Sequence, residues 1–135
     1  MVAIRPARAG EGQTLTALVA EECDVAAGRV LVATDTVDRL LGVAVAPGAG
    51  DTVDLDALFV DPPAIGSGAG RALFGAAARL ARGLGARRMT VLADPNAVPF
   101  YRRMGTRFLR NAPSDAIPGR ALPLYEYHLT SGEQS

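Results

Sequence analysis

The stretch that decides the fold reads Asp54-Leu-Asp-Ala-Leu-Phe-Val-Asp-Pro-Pro-Ala-Ile-Gly-Ser-Gly-Ala-Gly70. It begins as a half-polar strand, passes through two prolines and ends in a glycine-rich loop that opens a helix at 71–84. Glycine leaves the backbone uncovered, so several N–H groups of such a loop can turn towards one anion. The following helix adds unpaired amides and the positive end of its dipole. The pattern therefore predicts a phosphate or pyrophosphate site.

Two common phosphate loops do not fit this stretch. An ATP or GTP loop needs Lys and then Ser or Thr after its last glycine. Here Gly70 is followed by Arg71 and Ala72, and the chain has no lysine. A dinucleotide fingerprint would place its third glycine at 71 and would turn directly after the strand, whereas Asp61–Ile65 intervenes. We therefore set both interpretations aside.

Two segments resemble the signatures of the GNAT superfamily of acyl-CoA-dependent N-acetyltransferases. The first joins Leu58-Phe-Val-Asp-Pro to Gly66-x-Gly-x-Gly-Arg-Ala-Leu73 and is similar to the pyrophosphate-binding segment. The second is Ala93-Asp-Pro-Asn-Ala-Val-Pro-Phe-Tyr-Arg-Arg-Met-Gly105. The resemblance covers most of the chain and implies an α+β (α/β) fold, the acyl-CoA N-acyltransferase fold. That fold has a mixed, mainly antiparallel central sheet of six to seven strands, with a parallel splayed pair and flanking helices.

The resemblance also implies roles for individual residues. Backbone groups around Leu58, Phe59 and Val60 would meet the thioester and pantetheine arm of acetyl-CoA. Tyr101 would give a proton to the leaving sulfur, and Asn96 would hydrogen-bond the cofactor. The diphosphate would lie on the loop, which comprises Ile65, Gly66, Ser67, Gly68, Ala69, Gly70 and Arg71. The family usually has Arg or Gln where this chain has Ile65, so one contact is expected to be weaker.

Two carboxylates precede the loop on a strand predicted at Thr52–Val60. Because side chains alternate along a strand, Asp54 and Asp56 would share one face. They are either the solvated side of an antiparallel sheet or a base for the acceptor amine. A lysine-like amine is only about one part in 2,500 neutral at pH 7, so acetyl transfer needs help in removing a proton.

The other elements follow from periodicity and turn residues. Strands 30–34, 40–45 and 52–60 should form an antiparallel meander, and the crossover through the glycine loop should make 52–60 and 88–93 parallel. Gly85 is predicted to end the first long helix after the loop, and Asn96 to cap the next one. Thr106 stands where the resembling family commonly has Phe, and Phe108 is expected to compensate for the core contact that this removes. The remaining predicted elements are strands at 2–5, 107–110 and 122–129 and a helix at 11–22.

Composition limits the other functional classes. The 135 residues are expected to form a single N-acetyltransferase domain, 1–135. The formal net charge is zero, so we expect no nucleic-acid partner, and no apolar run approaches the ~20 residues of a membrane helix. One cysteine, Cys23, cannot form an internal disulfide; the only histidine, His128, is interpreted as structural, and no metal site is predicted. The N-terminus does not resemble a signal peptide, so we expect a cytoplasmic protein.

Three hypotheses follow. The leading one is an N-acetyltransferase that moves an acetyl group from acetyl-CoA to a primary amine of a small molecule or protein N-terminus. The alternative is a non-catalytic acyl-CoA-binding regulatory module on the same fold, motivated by Ile65, by the lack of a Glu base and by a short N-terminal half. That short half would leave the acceptor site either open or completed by a second subunit in a homodimer. An enzyme that acetylates aminoacyl-tRNA ranks third, because the chain is neutral overall.

Overall fold

The computed structural model describes residues 2–8, 30–45, 50–55, 57–113 and 118–129. The strands in these ranges are β1 (Ala3–Pro6), β2 (Val30–Thr34), β3 (Leu40–Val45), β4 (Thr52–Asp54), β5 (Ala57–Val60), β6 (Arg88–Leu92), β7 (Arg107–Pro113) and β8 (Ala121–His128). The helices are α1 (Ala69–Gly83) and α2 (Val98–Arg103), and short 3-10 helices precede them at Pro62–Ala64 and Pro95–Ala97. The helix predicted at 11–22 lies outside the described residues, as does Cys23. No described helix is both long and apolar enough to cross a membrane.

Contacts within the chain divide it into two compact units. The first unit comprises Met1–Pro47 and Leu55–Leu80. The second comprises Gly48–Asp54 and Ala81–Ser135. Each unit contains one four-stranded sheet.

The sheet of the first unit has the strand order β1-β2-β3-β5, and all neighbouring strands are antiparallel. Its core consists of valines that pair across β2 and β3, each at most 1% exposed: Val30, Val32, Val43 and Val45. Gly42 lets β5 and α1 approach β3, because a Cβ there would lie 2.7 Å from the Phe59 carbonyl oxygen and 2.9 Å from Leu73 Cδ1. The predicted meander is therefore confirmed, with its third strand beginning at Ala57.

The sheet of the second unit has the order β4-β6-β8-β7. β4 and β6 are parallel, as predicted, in the register Thr52↔Arg88, Val53↔Met89 and Asp54↔Thr90. β8 is antiparallel to both β6 and β7. β4 lies at the edge of this sheet. Asp54 is its last residue and therefore stands at the carboxyl end of the paired parallel segment.

The prediction of one continuous strand from Thr52 to Val60 was wrong. β4 ends at Asp54 and pairs with β6, whereas β5 begins at Ala57 and pairs with β3. The two halves exchange hydrogen bonds with different sheets, and the alternation of side chains does not encode which neighbour a strand takes. Asp56 lies outside the described residues, so its place on one face with Asp54 stays a prediction.

Helix α1 begins at Ala69, whereas the sequence predicted 71. Its end is a two-bond left-handed cap, as predicted: Gly85 has a φ of 91°. The Gly85 amide donates to the Arg82 carbonyl at 3.0 Å, and the Ala86 amide donates to the Ala81 carbonyl at 3.1 Å. The buried face of the helix is made of small and medium side chains: Leu73, Phe74, Ala76, Ala77, Ala78 and Ala81.

The expectation that Phe108 fills a core position was wrong. Its side chain is 49% exposed and packs edge-on against Tyr125, with ring centroids 5.7 Å apart. The register between β7 and β8 also shifts directly after this residue, between Phe108 and Arg110. A bulge re-aims side chains in a way that the sequence pattern does not reveal.

Candidate active site

The glycine-rich loop turns the chain from a 3-10 helix into α1. Gly66 and Gly68 have φ values of 93° and 94°, a left-handed conformation that costs other residues about 1–2 kcal/mol. A Cβ at either position would meet nothing within 4 Å. These glycines are therefore required by the backbone conformation and not by close packing.

Some amides of the loop are used by the loop itself. The Ala64 amide donates to the Asp61 carbonyl at 2.7 Å, and the Ser67 amide donates to the Ala64 carbonyl at 3.0 Å. The Ala69 amide donates to the Ser67 hydroxyl oxygen at 3.3 Å. These bonds hold the turn in shape and direct it into the first turn of α1.

Other amides at the start of α1 have no such partner. The first helical hydrogen bond runs from the Ala72 amide to the Gly68 carbonyl at 3.0 Å, so Gly68 is the N-cap residue. Within the described residues, no carbonyl accepts from the amides of Gly68, Gly70 or Arg71. Unpaired amides at a helix start, together with the helix dipole, form a binding site for an anion. The predicted loop thus keeps the donors that an anion needs, whereas Ile65 contributes a 72% exposed apolar side chain and no cation.

Strand β5 presents a free edge in the first unit. It is the last strand of its sheet, so along its outer side the N–H and C=O groups have no strand partner among the described residues. Leu58, Phe59 and Val60 are all half-buried, and their inner side pairs with β3. Such an edge can hydrogen-bond an extended ligand that carries amide groups.

Asp54 is the candidate base that the structure describes. Its Oδ1 accepts a hydrogen bond from Oγ1 of Thr90, the residue directly opposite on β6. Asp54 is exposed, whereas Thr90 is only 8% exposed. The Asp54 carboxylate is therefore held by a hydrogen bond from the neighbouring strand and remains accessible to solvent. It lies at the carboxyl end of the parallel strands, where ligands of such sheets usually bind.

A charged cluster that sequence reasoning missed surrounds Glu126 on β8. Glu126 pairs in register with Thr90 on one side and with Arg107 on the other. Its side chain is 1% exposed and contacts three basic groups, namely the Arg107 guanidinium, Arg88 Nη1 at 3.5 Å and His128 Nε2 at 3.0 Å. Hydrogen bonds from Arg107 and His128 lower the pKa of Glu126 to about 2. So low a pKa makes Glu126 a poor base at neutral pH, and its role is that of an ion-pair anchor.

The sequence carried one signal of this cluster. Glu126 is a single acidic residue in β8, which otherwise reads Ala-Leu-Pro-Leu-Tyr before it. A carboxylate in a buried strand needs paired partners. Its partners Arg88 and Arg107 lie 38 and 19 residues away along the chain, so they follow only from the strand register. The structural interpretation of His128 agrees with its contact with this carboxylate.

Tyr101 lies on α2 in the second unit and is 5% exposed. Its carbonyl accepts from the Thr106 hydroxyl at 2.7 Å and from the Met104 amide at 3.1 Å, which fixes the end of the short helix. The Phe100 ring packs against it edge-on, with centroids 5.2 Å apart. Burial raises the pKa of Tyr101 to about 12. The phenol is therefore protonated throughout the physiological range and can donate a hydrogen bond.

Asn96 does not cap α2, contrary to the prediction. The Asp94 side chain caps the 3-10 helix Pro95–Ala97 by accepting from the Asn96 amide at 2.8 Å. Ala97 is the N-cap residue of α2 and makes no side-chain bond to it. The chain makes a 3-10 turn before α2, and Asn96 lies inside that turn. The side chain that caps the start of the turn is therefore that of Asp94, two residues earlier. Pro99 does lie in the first turn of α2, as predicted.

Comparison with known proteins gives the family. The model of the acetyltransferase (GNAT) domain matches residues 8–114. Among solved structures, a GCN5-related N-acetyltransferase from Rhodopseudomonas palustris is 28% identical over 81% of this chain and 69% of its own, with a TM-score of 0.66. Nourseothricin acetyltransferase is 26% identical over 74% of this chain and 64% of its own, with a TM-score of 0.67.

A third structure is N-acetylglutamate synthase from Neisseria gonorrhoeae, solved in complex with coenzyme A and N-acetyl-glutamate. It is 22% identical over 96% of this chain and 35% of its own, with a TM-score of 0.74, which shows a shared fold. This chain thus spans less than two thirds of that synthase and of nourseothricin acetyltransferase. No curated protein sequence matches it. Since the domain model covers well over half of the residues, the chain belongs to the GNAT acetyltransferase family.

Proposed function

We propose that this chain is an N-acetyltransferase that transfers the acetyl group of acetyl-CoA to a primary amine of a small molecule or a protein N-terminus. Family membership supports the reaction class. The observation that carries the proposal is the set of amides at Gly68, Gly70 and Arg71, which have no carbonyl partner among the described residues. They suit the diphosphate of coenzyme A, because its oxygens are anionic acceptors and its charge is favoured at a helix start.

The remainder of the cofactor would use the edge of β5. The pantetheine arm carries amides that can pair with the outward N–H and C=O groups of Leu58 and Val60, whereas those of Phe59 face Val43 on β3, so Phe59 would contact the arm without these bonds. A backbone N–H of the same edge would polarise the thioester carbonyl as its oxygen gains charge. Asn96 is a further candidate contact to the cofactor, and its exposed side chain leaves it accessible.

The acceptor amine must lose a proton before it attacks the thioester. For a lysine-like amine at pH 7 the deficit is roughly 4.6 kcal/mol, so a base in the site is needed. Asp54 is the candidate with a described position, and its short side chain favours proton removal through an intervening water. Asp56 stays a second candidate for the same role.

Tyr101 would stabilise the leaving thiolate. With a pKa of about 12, complete proton transfer to an ordinary thiolate of pKa about 8.5 is uphill by roughly 5 kcal/mol. A hydrogen bond from the phenol to the nascent thiolate carries no such penalty. We therefore assign Tyr101 a hydrogen-bonding role, with final protonation of the sulfur by the proton released from the amine.

One feature favours a second candidate, the non-catalytic acyl-CoA-binding regulatory module. Ile65 is 72% exposed and places no cation beside the loop, where the family usually has Arg or Gln. A weakened diphosphate contact is compatible with a sensor that binds and releases acyl-CoA without turnover. Such a module would bind acetyl-CoA but would not release free thiol with any amine.

The test combines binding and turnover on the purified full chain. Titration calorimetry with acetyl-CoA should show saturable binding of one molecule per chain. A thiol-reactive dye should then report amine-dependent release of coenzyme A across a panel of polyamines, amino acids and short peptides. Absence of acetyl-CoA binding would reject both candidates, whereas binding without thiol release across the panel would select the regulatory module.

Two accompanying proposals concern the setting of the protein. We propose a cytoplasmic location, and an acceptor site that is either open or completed by a second copy in a homodimer. Light scattering after size exclusion, with and without acetyl-CoA, measures the oligomeric state directly. A monomer under both conditions would select the open site.

A further inference from the structure

A polar row crosses the sheet of the second unit. In the register of the strands Asp54 on β4 lies opposite Thr90 on β6, Thr90 lies opposite Glu126 on β8, and Glu126 lies opposite Arg107 on β7. Residues that are directly opposite in a sheet lie on the same face, with their side chains in contact distance. Thr90 is therefore flanked by two carboxylates, one on each side.

The two carboxylates differ in what they can accept. Glu126 is buried and already receives hydrogen bonds from Arg88 and Arg107 and contacts His128. Asp54 is exposed, and the Thr90 hydroxyl is the described side-chain group that donates to its Oδ1. Because an ionised carboxylate only accepts, the hydroxyl hydrogen must point to Asp54 in this contact. Glu126 thus already has three basic partners, and the Thr90 hydroxyl donates to Asp54.

The strands that carry this pair differ in how firmly they are held. β6 lies inside its sheet, with β4 on one side and β8 on the other, and Thr90 is only 8% exposed. β4 is three residues long and lies at the sheet edge, and Asp54 is its last residue. A buried, β-branched threonine has a restricted χ1 angle. Thr90 is therefore the rigid partner in this hydrogen bond. Without the bond, the Asp54 side chain would be free to change rotamer.

We propose that Thr90 is a positioning residue for the base of acetyl transfer. Its hydroxyl occupies Oδ1 of Asp54 and fixes the carboxylate plane, so that Oδ2 is presented to the acceptor ammonium or to a water that relays its proton. The proposal rests on the proposed function, in which Asp54 draws the proton from the amine. It adds a residue that lies outside both sequence signatures.

The first test is a double-mutant cycle on the full chain. Thr90→Val keeps the shape and removes the hydroxyl, and it should lower kcat/KM for the amine by roughly tenfold, the size expected for a hydrogen bond to a charged group. Thr90→Ser restores the hydroxyl and should recover most of the rate. In an Asp54→Asn background, Thr90→Val should change the rate by less than about twofold, because the group it positions is gone. Equal losses in both backgrounds, or equal losses for Val and Ser, would overturn the proposal.

Two controls separate positioning from general damage. Thr52→Val removes a hydroxyl from an exposed threonine on the same strand face, two residues before Asp54, and should leave the rate unchanged. The dissociation constant of acetyl-CoA should stay within about twofold in every Thr90 variant, since a hydroxyl beside the base does not bind the cofactor. A parallel loss of acetyl-CoA affinity in Thr90→Val would mark a structural role and count against the proposal.

The second test does not depend on turnover. Crystal structures of the Thr90→Val and Thr90→Ser variants should show the Asp54 carboxylate displaced in the first and retained in the second. A carboxylate that keeps its position in Thr90→Val would overturn the inference even in an active enzyme. Failure of the wild-type chain to release thiol from acetyl-CoA would instead reject the proposed function, while the carboxylate position would still decide whether Thr90 sets it.

Discussion

Tyr101 is 5% exposed and Asp54 is exposed, and this difference in burial suits their proposed roles. Burial disfavours an anion, so it keeps the Tyr101 phenol neutral and able to donate. A group that takes a proton from a soluble amine must be reachable from solvent, and Asp54 is. Neither property is set by residue type alone, because the neighbouring residues determine the exposure of each side chain.

The first prediction concerns the Tyr101 hydroxyl. Tyr101→Phe should lower kcat roughly 10²-fold, the cost of losing one donor to a developing anion, with little change in acetyl-CoA affinity. Because the pKa of Tyr101 is about 12, the wild-type rate should show no alkaline decline from its ionisation below about pH 11. Steady-state kinetics across pH measure both effects. Tyr125→Phe, which removes a hydroxyl from another buried tyrosine, is the control and should leave kcat unchanged.

The second prediction concerns close packing at Gly42. Gly42→Ala should lower the free energy of unfolding by roughly 1–3 kcal/mol, because the new methyl group would press on the Phe59 carbonyl oxygen and on Leu73 Cδ1. The carbonyl belongs to β5 and cannot move without breaking its pairing with β3. Urea unfolding measures the change. A variant as stable as the wild type would mean that β5 shifts at no cost.

At the scale of elements, the glycine loop and α1 form one continuous segment, to which we assign the diphosphate of acetyl-CoA. The loop places its glycines in a left-handed conformation, and the helix supplies amides that the described carbonyls leave unpaired. The same helix ends in a cap that satisfies its last carbonyls through the Gly85 and Ala86 amides. The element is therefore closed at its C-terminus and open to a ligand at its N-terminus.

The third prediction compares two glycines of this element. Gly68→Ala should weaken acetyl-CoA binding about tenfold, because alanine resists a φ of 94° and the loop would relax away from the diphosphate. Gly83→Ala is the matched control, since a Cβ there meets nothing within 4 Å and alanine favours a helix. It should leave affinity unchanged and raise stability by about 0.5–1 kcal/mol. Calorimetry and urea unfolding measure the two variants, and equal affinities for both would contradict the prediction.

At the scale of the whole molecule, buried charges make the free energy of unfolding depend on pH. The chain has no net charge at neutral pH, so general repulsion or attraction adds little. The contribution that depends on pH comes from specific contacts, and among the described residues Glu126 is a buried carboxylate with three basic neighbours. Because the pKa of Glu126 is lower in the folded chain, the free energy of unfolding depends on pH in the acid range.

The fourth prediction follows from the sign of that pKa shift. The pKa of Glu126 is about 2 in the folded state and 4.5 when unperturbed, so its stabilisation is complete above pH 4.5 and is lost as the pH falls towards 2. Glu126→Gln should therefore cost roughly 1.5–3 kcal/mol of unfolding free energy at pH 7 and progressively less below pH 4.5. Urea unfolding at pH 7, 5 and 3 tests this.

The control for this experiment is Asp51→Asn, which neutralises an exposed carboxylate of the same unit. It should change stability by no more than about 0.5 kcal/mol at any of the three pH values. A gap between wild type and Glu126→Gln that stays constant from pH 7 to pH 3 would show that the carboxylate charge does not carry the stabilisation.

Local patterns in the sequence determined several features by themselves. The left-handed cap at Gly85, the glycine loop before α1 and the meander of β2, β3 and β5 follow from residue conformations, periodicity and turn residues. The parallel pairing of β4 with β6 follows from the handedness of a crossover. Each depends on residues close together in the chain or on a general rule of chain topology, and each was predicted.

The tertiary structure alone decided the rest. The predicted strand is interrupted between Asp54 and Ala57, and its two parts pair with different sheets. The Thr90 hydroxyl donates to Asp54, 36 residues away in the chain, and three basic side chains contact Glu126. The physical reason is strand register. Which residues face one another across a sheet depends on the pairing of distant strands, and the identity of a residue does not specify its partner.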